Sequence, residues 1–83
     1  MTRLELVYPT PHRTRADRLE HAIAGVMAPR EPEQPSDTST TRVRSWMLPN
    51  RRLARVARRH LLEAFRECGE PEPGVSVYTV RAR

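Results

Sequence analysis

The segment NRRLARVARRHLLEAFRECG, residues 50–69, is the most informative part of the sequence because it predicts one long amphipathic helix. Asn50 is a favourable residue for the N-cap of a helix, and Gly69 is favourable just beyond its C-terminal end. The apolar residues between them recur with a helical period and form one broad face, made of Leu53, Ala54, Ala57, Leu61, Ala64, Phe65 and Cys68. A helix with such a face must pack against another layer of structure.

The flanking segments predict the layer that this helix covers. Residues 4–8 and 41–48 alternate between two faces, and residues 75–80 form a β-branched run, so each segment predicts a strand. An apolar stripe between Thr14 and Pro29 predicts a second amphipathic helix. The sequence therefore predicts an α+β fold, a small two-layer β-α-β-α-β sandwich in which two helices cover one face of a three-stranded sheet. The order of the strands stays open.

The segment from Pro29 to Thr41 predicts an exposed proline-rich loop. It holds prolines at three-residue spacing, polar residues and acids, and no apolar residue other than proline. That spacing is also typical of a polyproline II ligand, but a flexible connector is the commoner use of such a segment. We therefore interpret residues 29–41 as a connector.

The composition bounds the kind of protein. Eighty-three residues, of which 37% are hydrophobic and 5% aromatic, predict a single small domain, residues 1–83, with a thin core and no large catalytic cavity. A sheet layer of this size predicts help from a homodimer or a larger complex, with edge strands as the contact. A lone cysteine and the lack of a long apolar run favour a cytoplasmic protein with no membrane partner.

All fifteen basic residues are arginine, and the net charge is +5. A coding bias explains the lack of lysine as well as function does, so position must decide between the two. In the predicted helix five arginines project within about 120° of one another, with no acid among them. They are Arg51, Arg52, Arg55, Arg58 and Arg59. The first two lie where the helix dipole disfavours cations, by about 0.3–1 kcal/mol each. An anionic partner would offset this cost, whereas the plainer alternative is a solvated polar face.

A second candidate surface lies on the predicted strand 41–48. Arg42, Arg44 and Trp46 share one face there, and bases stack on aromatic rings while arginines contact phosphates. The alternative is that Trp46, the only tryptophan, packs into the core.

The sequence offers little for catalysis. His60, Glu63 and Glu67 share a helix face, but solvated polar residues are the ordinary interpretation of that spacing. Cys68 lies on the apolar helix face as a small core residue. We therefore expect no enzyme activity, no metal and no cofactor.

These observations lead to two alternative functions. The leading expectation is a small binding protein that uses the arginine-rich helix face to bind the backbone of DNA or RNA, largely without base specificity. The alternative is a protein-interaction regulator, for example a phage-type inhibitor of a host defence or nucleic-acid-processing complex, which docks on an acidic protein surface. A subunit of a larger assembly is a third possibility.

Overall fold

The computed structural model describes residues 1–9 and 13–80, and their elements follow the order β-α-β-β-α-β. The elements are β1 (Thr2–Pro9), α1 (Arg13–Met27), β2 (Ser36–Asp37), β3 (Thr41–Leu48), α2 (Arg51–Glu67) and β4 (Gly74–Thr79). The strands form one antiparallel sheet in the order β2-β3-β1-β4. This is the element order of ferredoxin-like, or split β-α-β, domains.

The α+β class and the two helices agree with the prediction, but the sheet has four strands instead of three. The additional strand, β2, lies inside the segment predicted as a loop and pairs Ser36 with Val43 and Asp37 with Arg42. Just before it, the Glu33 N–H donates to the Ser45 carbonyl at 2.7 Å. A two-residue strand has no alternation to detect, because its pairing depends on a neighbour elsewhere in the chain.

The register of the central strand β1 places the core on one face of the sheet. Leu4 lies between Trp46 and Val77, and Leu6 lies between Arg44 and Val75. These positions face the helices. The hydrophobic core cluster on this face consists of Leu4, Leu6, Tyr8, Leu19, Ile23, Met27, Trp46, Leu48, Ala54, Leu61 and Phe65. The helices therefore cover one face of the sheet, as the sequence predicts.

The ends of α2 match the expectations from sequence. The Asn50 side chain accepts a hydrogen bond from the Leu53 N–H at 3.0 Å, and the Cys68 N–H donates to the Ala64 carbonyl. Gly69 then takes a left-handed conformation with φ of 72°, which costs glycine nothing. Leu53 departs from the predicted apolar face: it is 40% exposed because it lies at the margin of that face.

The first helix is close to its prediction, running from Arg13 to Met27. Within the residues that the structure describes, no helix is both long enough and apolar enough to cross a membrane.

Candidate anion-binding site

The core packing of α2 fixes the direction of its arginines. Ala54, Leu61 and Phe65 are buried, so the opposite side of the helix faces solvent. All six arginines of α2 are exposed, namely Arg51, Arg52, Arg55, Arg58, Arg59 and Arg66. The first five are those predicted from the helical period. Arg66 was missed because Glu63 interrupts the basic run, although position 66 falls in the same helical sector as Arg55 and Arg59.

A groove with a volume of about 580 Å³ is lined by residues of both α2 and β4. Five of the six α2 arginines line it, and Arg52 does not. Val75 and Val77 of β4, together with Leu62 of α2, supply its apolar part, and Glu63 also lines it. We call this feature the α2–β4 groove. Its lining therefore combines guanidinium groups, which we call the arginine wall, with partly buried aliphatic side chains.

The charge of this wall is not compensated within the described part of the chain. The ion pairs there are Arg3–Glu33, Arg15–Glu70, Arg42–Glu20, Arg44–Glu20 and Arg44–Asp37, and none involves α2. From Arg51 to Leu62 the helix has no acid, and its first turn has none. The positive helix end and its arginines therefore add to one another, which favours an anion at this site.

The strand beside the groove is an edge strand. β4 pairs with β1 on one side only, and it is the last strand of the described sheet on that side. Val75 and Val77 point toward the helix layer and are half-buried. The α2–β4 groove therefore runs along a row of main-chain groups that no described strand pairs with.

Arg42, Arg44 and Trp46 lie elsewhere, on the helix-covered face of β3. Trp46 is only 2% exposed, so its ring faces are not available for stacking. β1 separates β3 from β4 in the sheet, so these three residues do not extend the α2–β4 groove. Trp46 therefore packs in the core, which is the alternative interpretation of this residue. The alternation of side chains along β3 places it on the core face, beside Leu4.

The two β3 arginines belong to a separate ionic cluster. Arg44, 9% exposed, donates to Asp37 and, at 2.7 Å, to Glu20, and Arg42 donates to Glu20 at 3.3 Å. The hydrogen bond from Arg44 lowers the pKa of Asp37, and that same bond raises the pKa of Arg44. Tyr8 also donates to Glu20 at 2.6 Å, and burial raises the pKa of its phenol. These charges are internally compensated.

The described residues bring no three histidine, cysteine, aspartate or glutamate side chains together in an arrangement that could hold a metal ion. Cys68 is half-buried beside the core, as its place on the helix predicts. The expectation of a non-enzymatic protein stays a prediction.

Comparison of this chain with protein-family models, with curated proteins and with solved structures gives no significant match.

Proposed function

We propose that this chain is a non-enzymatic binding module whose α2–β4 groove holds an acidic segment of a partner protein. The observation that carries this proposal is the lining of the groove, five exposed arginines without ion pairs in the described structure, above Val75 and Val77. Carboxylates pair with the planar guanidinium groups, and the alkyl parts of the partner's side chains contact the valines.

The shape and lining of the site favour a protein segment over a nucleic acid. A groove receives a single extended chain, whereas a duplex contacts the convex side of a helix. Proteins that bind single-stranded nucleic acid usually add aromatic side chains on which bases stack. The described lining contains aliphatic residues and no aromatic one, and Trp46 is buried.

Binding to the backbone of DNA or RNA is the second candidate function, and one observation favours it. Arg52 is exposed outside the groove, so the basic surface continues onto the solvent side of α2. An α-helix fits the major groove of DNA, about 12 Å wide, and arginines on its outer side could reach phosphates. Charge alone does not separate these candidates, because guanidinium groups bind both phosphates and carboxylates.

A binding assay with three fluorescent probes separates the two candidates. The probes are an alternating octapeptide, Ac-(Glu-Thr)4-NH2, a twelve-nucleotide oligo(dT) and a twelve-base-pair duplex, followed by anisotropy at low and moderate salt. The test variant is Arg55→Gln with Arg58→Gln. The matched control, Arg18→Gln with Arg30→Gln, removes the same charge from exposed positions outside the groove.

We expect the alternating octapeptide to bind most tightly. The test variant weakens its binding by about twofold to thirtyfold, because each of the two lost pairs contributes about 0.2–1 kcal/mol, and the control variant changes it little. Equal effects of the two variants on the octapeptide would overturn the proposal. Tightest binding of a nucleic acid, with a salt slope that falls by about 2 in the test variant, would establish the second candidate instead.

A further inference from the structure

The hydrogen-bond register of β4 identifies which main-chain groups face its free edge. The Val80 N–H donates to the Met1 carbonyl at 3.0 Å, next to the register pair of Thr2 with Thr79. In an antiparallel ladder, hydrogen-bonded and non-hydrogen-bonded pairs alternate. Gly74, Ser76 and Tyr78 therefore bond to β1. The N–H and carbonyl groups of Val75, Val77 and Thr79 point away from the sheet.

These outward groups lie along the α2–β4 groove. Val75 and Val77 line the groove with their side chains, and their main-chain groups face the edge beside it. A segment in the groove can therefore bond to β4 and contact α2 at the same time.

A strand from another molecule could pair with the free edge of β4. The positive charge beside that edge argues against a second copy of this chain as the source of such a strand. Two β4 strands that paired with each other would bring two arginine walls together, each without ion pairs among the described residues. Like charges placed opposite one another oppose association. An acidic segment instead matches both the charge and the unpaired edge.

We propose that the partner's acidic segment binds as an extended fifth strand on β4, with a carboxylate at every second residue directed toward α2. Successive side chains of a strand point to opposite faces of a sheet, so only alternate residues reach the arginines. Strand addition of this kind takes its affinity from main-chain hydrogen bonds and its specificity from alternate side chains. This inference rests on the proposed function, and it adds the conformation and sequence pattern of the ligand.

Amide hydrogen exchange tests the geometry directly. In the free protein the amides of Val75, Val77 and Thr79 exchange faster than those of Ser76 and Tyr78. Saturation with the alternating octapeptide slows exchange at the first three by about tenfold or more, because they gain partners in the added strand. Saturation without any slowing at Val75, Val77 and Thr79 would overturn the proposed strand.

Two changes to the edge complete the test without altering charge. Cys68 is the only cysteine, so a synthetic 68–83 peptide with N-methylated Val77 can be ligated to residues 1–67. N-methylation removes an outward donor and keeps the side chain. Thr79→Pro also removes an outward donor, at an exposed position, since proline is tolerated on an edge strand. Each change weakens octapeptide binding by about tenfold and leaves oligo(dT) binding unchanged. The unmodified ligated protein is the control for N-methylated Val77, and the wild type is the control for Thr79→Pro.

The sequence pattern of the peptide ligand supplies an independent test of strand addition. A block octapeptide, in which four glutamates precede four threonines, has the composition of the alternating octapeptide, but as a strand it directs only two of its four carboxylates to one face. We expect it to bind several-fold more weakly. If both peptides bind equally and the edge changes have no effect, while Arg55→Gln with Arg58→Gln still weakens binding, strand addition is wrong and the proposed function stands. If the arginine changes also have no effect, both fail.

Discussion

At the scale of single residues, Arg44 shows how an arginine in this chain is used when it has partners. Its guanidinium donates to Asp37, to Glu20 and, at 2.9 Å, to the Val43 carbonyl. The α2 arginines have no such partners among the described residues. Residue type therefore did not distinguish an arginine with carboxylate partners in the fold from an exposed arginine without ion pairs in the described structure. The strand alternation placed Arg44 beside Trp46, but its carboxylate partners come from α1 and β2, which no local pattern connects to β3.

The pairing of Arg44 with Asp37 predicts a loss of stability in acid. Because the folded state lowers the pKa of Asp37 below 3.8, its carboxylate stabilises the fold above that pH. This contribution disappears as the pH falls through the folded-state pKa. Urea unfolding of the wild type and of Asp37→Asn, from neutral pH to below 3.8, measures it. The free energy of unfolding of the wild type should fall more steeply in acid than that of Asp37→Asn, and parallel curves would contradict this prediction.

At the scale of elements, the predictability of α2 and β2 differs for a physical reason. The bounds of α2 followed from Asn50, Gly69 and the apolar period of a seventeen-residue helix, all of which are local signals. β2 consists of two exposed residues that become a strand only because β3 lies beside them. Local patterns therefore predicted both helices and the three long strands, and they could not predict the short one.

The N-cap of α2 is testable by substitution. Asn50→Ala removes the acceptor of the Leu53 N–H and should lower the free energy of unfolding by about 1 kcal/mol. Asn50→Asp keeps the acceptor and adds a negative charge at the positive helix end, so it should be at least as stable as the wild type. Chemical denaturation measures both. Equal destabilisation by the two variants would show that the cap does not depend on this acceptor.

At the scale of the whole molecule, the groove depends on strand order. The helical period predicted the run of arginines from Arg51 to Arg59, but the groove exists because β4 lies next to β1 at the edge of the sheet and beside α2. The sequence left that order open, because pairing between residues 2–7 and 74–79 joins segments far apart in the chain.

The charge of the α2 arginines, which have no ion pairs among the described residues, predicts how the fold responds to salt. Repulsion among the α2 arginines destabilises the folded state, and ions screen it, with a Debye length of about 8 Å at physiological ionic strength. The melting temperature should therefore rise between low and physiological salt, and it should rise less in Arg55→Gln with Arg58→Gln. Thermal unfolding monitored by circular dichroism measures this. A melting temperature that falls with salt would mean that attractive ion pairs dominate.

The two outer edges of the sheet also set a stoichiometry. On one side β2 and the Glu33 N–H cover the outer edge of β3 from Arg42 to Ser45, and on the other side the six residues of β4 have no described partner. Within the described structure, an added strand thus has a long edge to join on one side alone. With strand addition at β4 as proposed, each copy of this chain takes up one partner segment, so the expected complex holds one segment per copy and does not extend into a fibre.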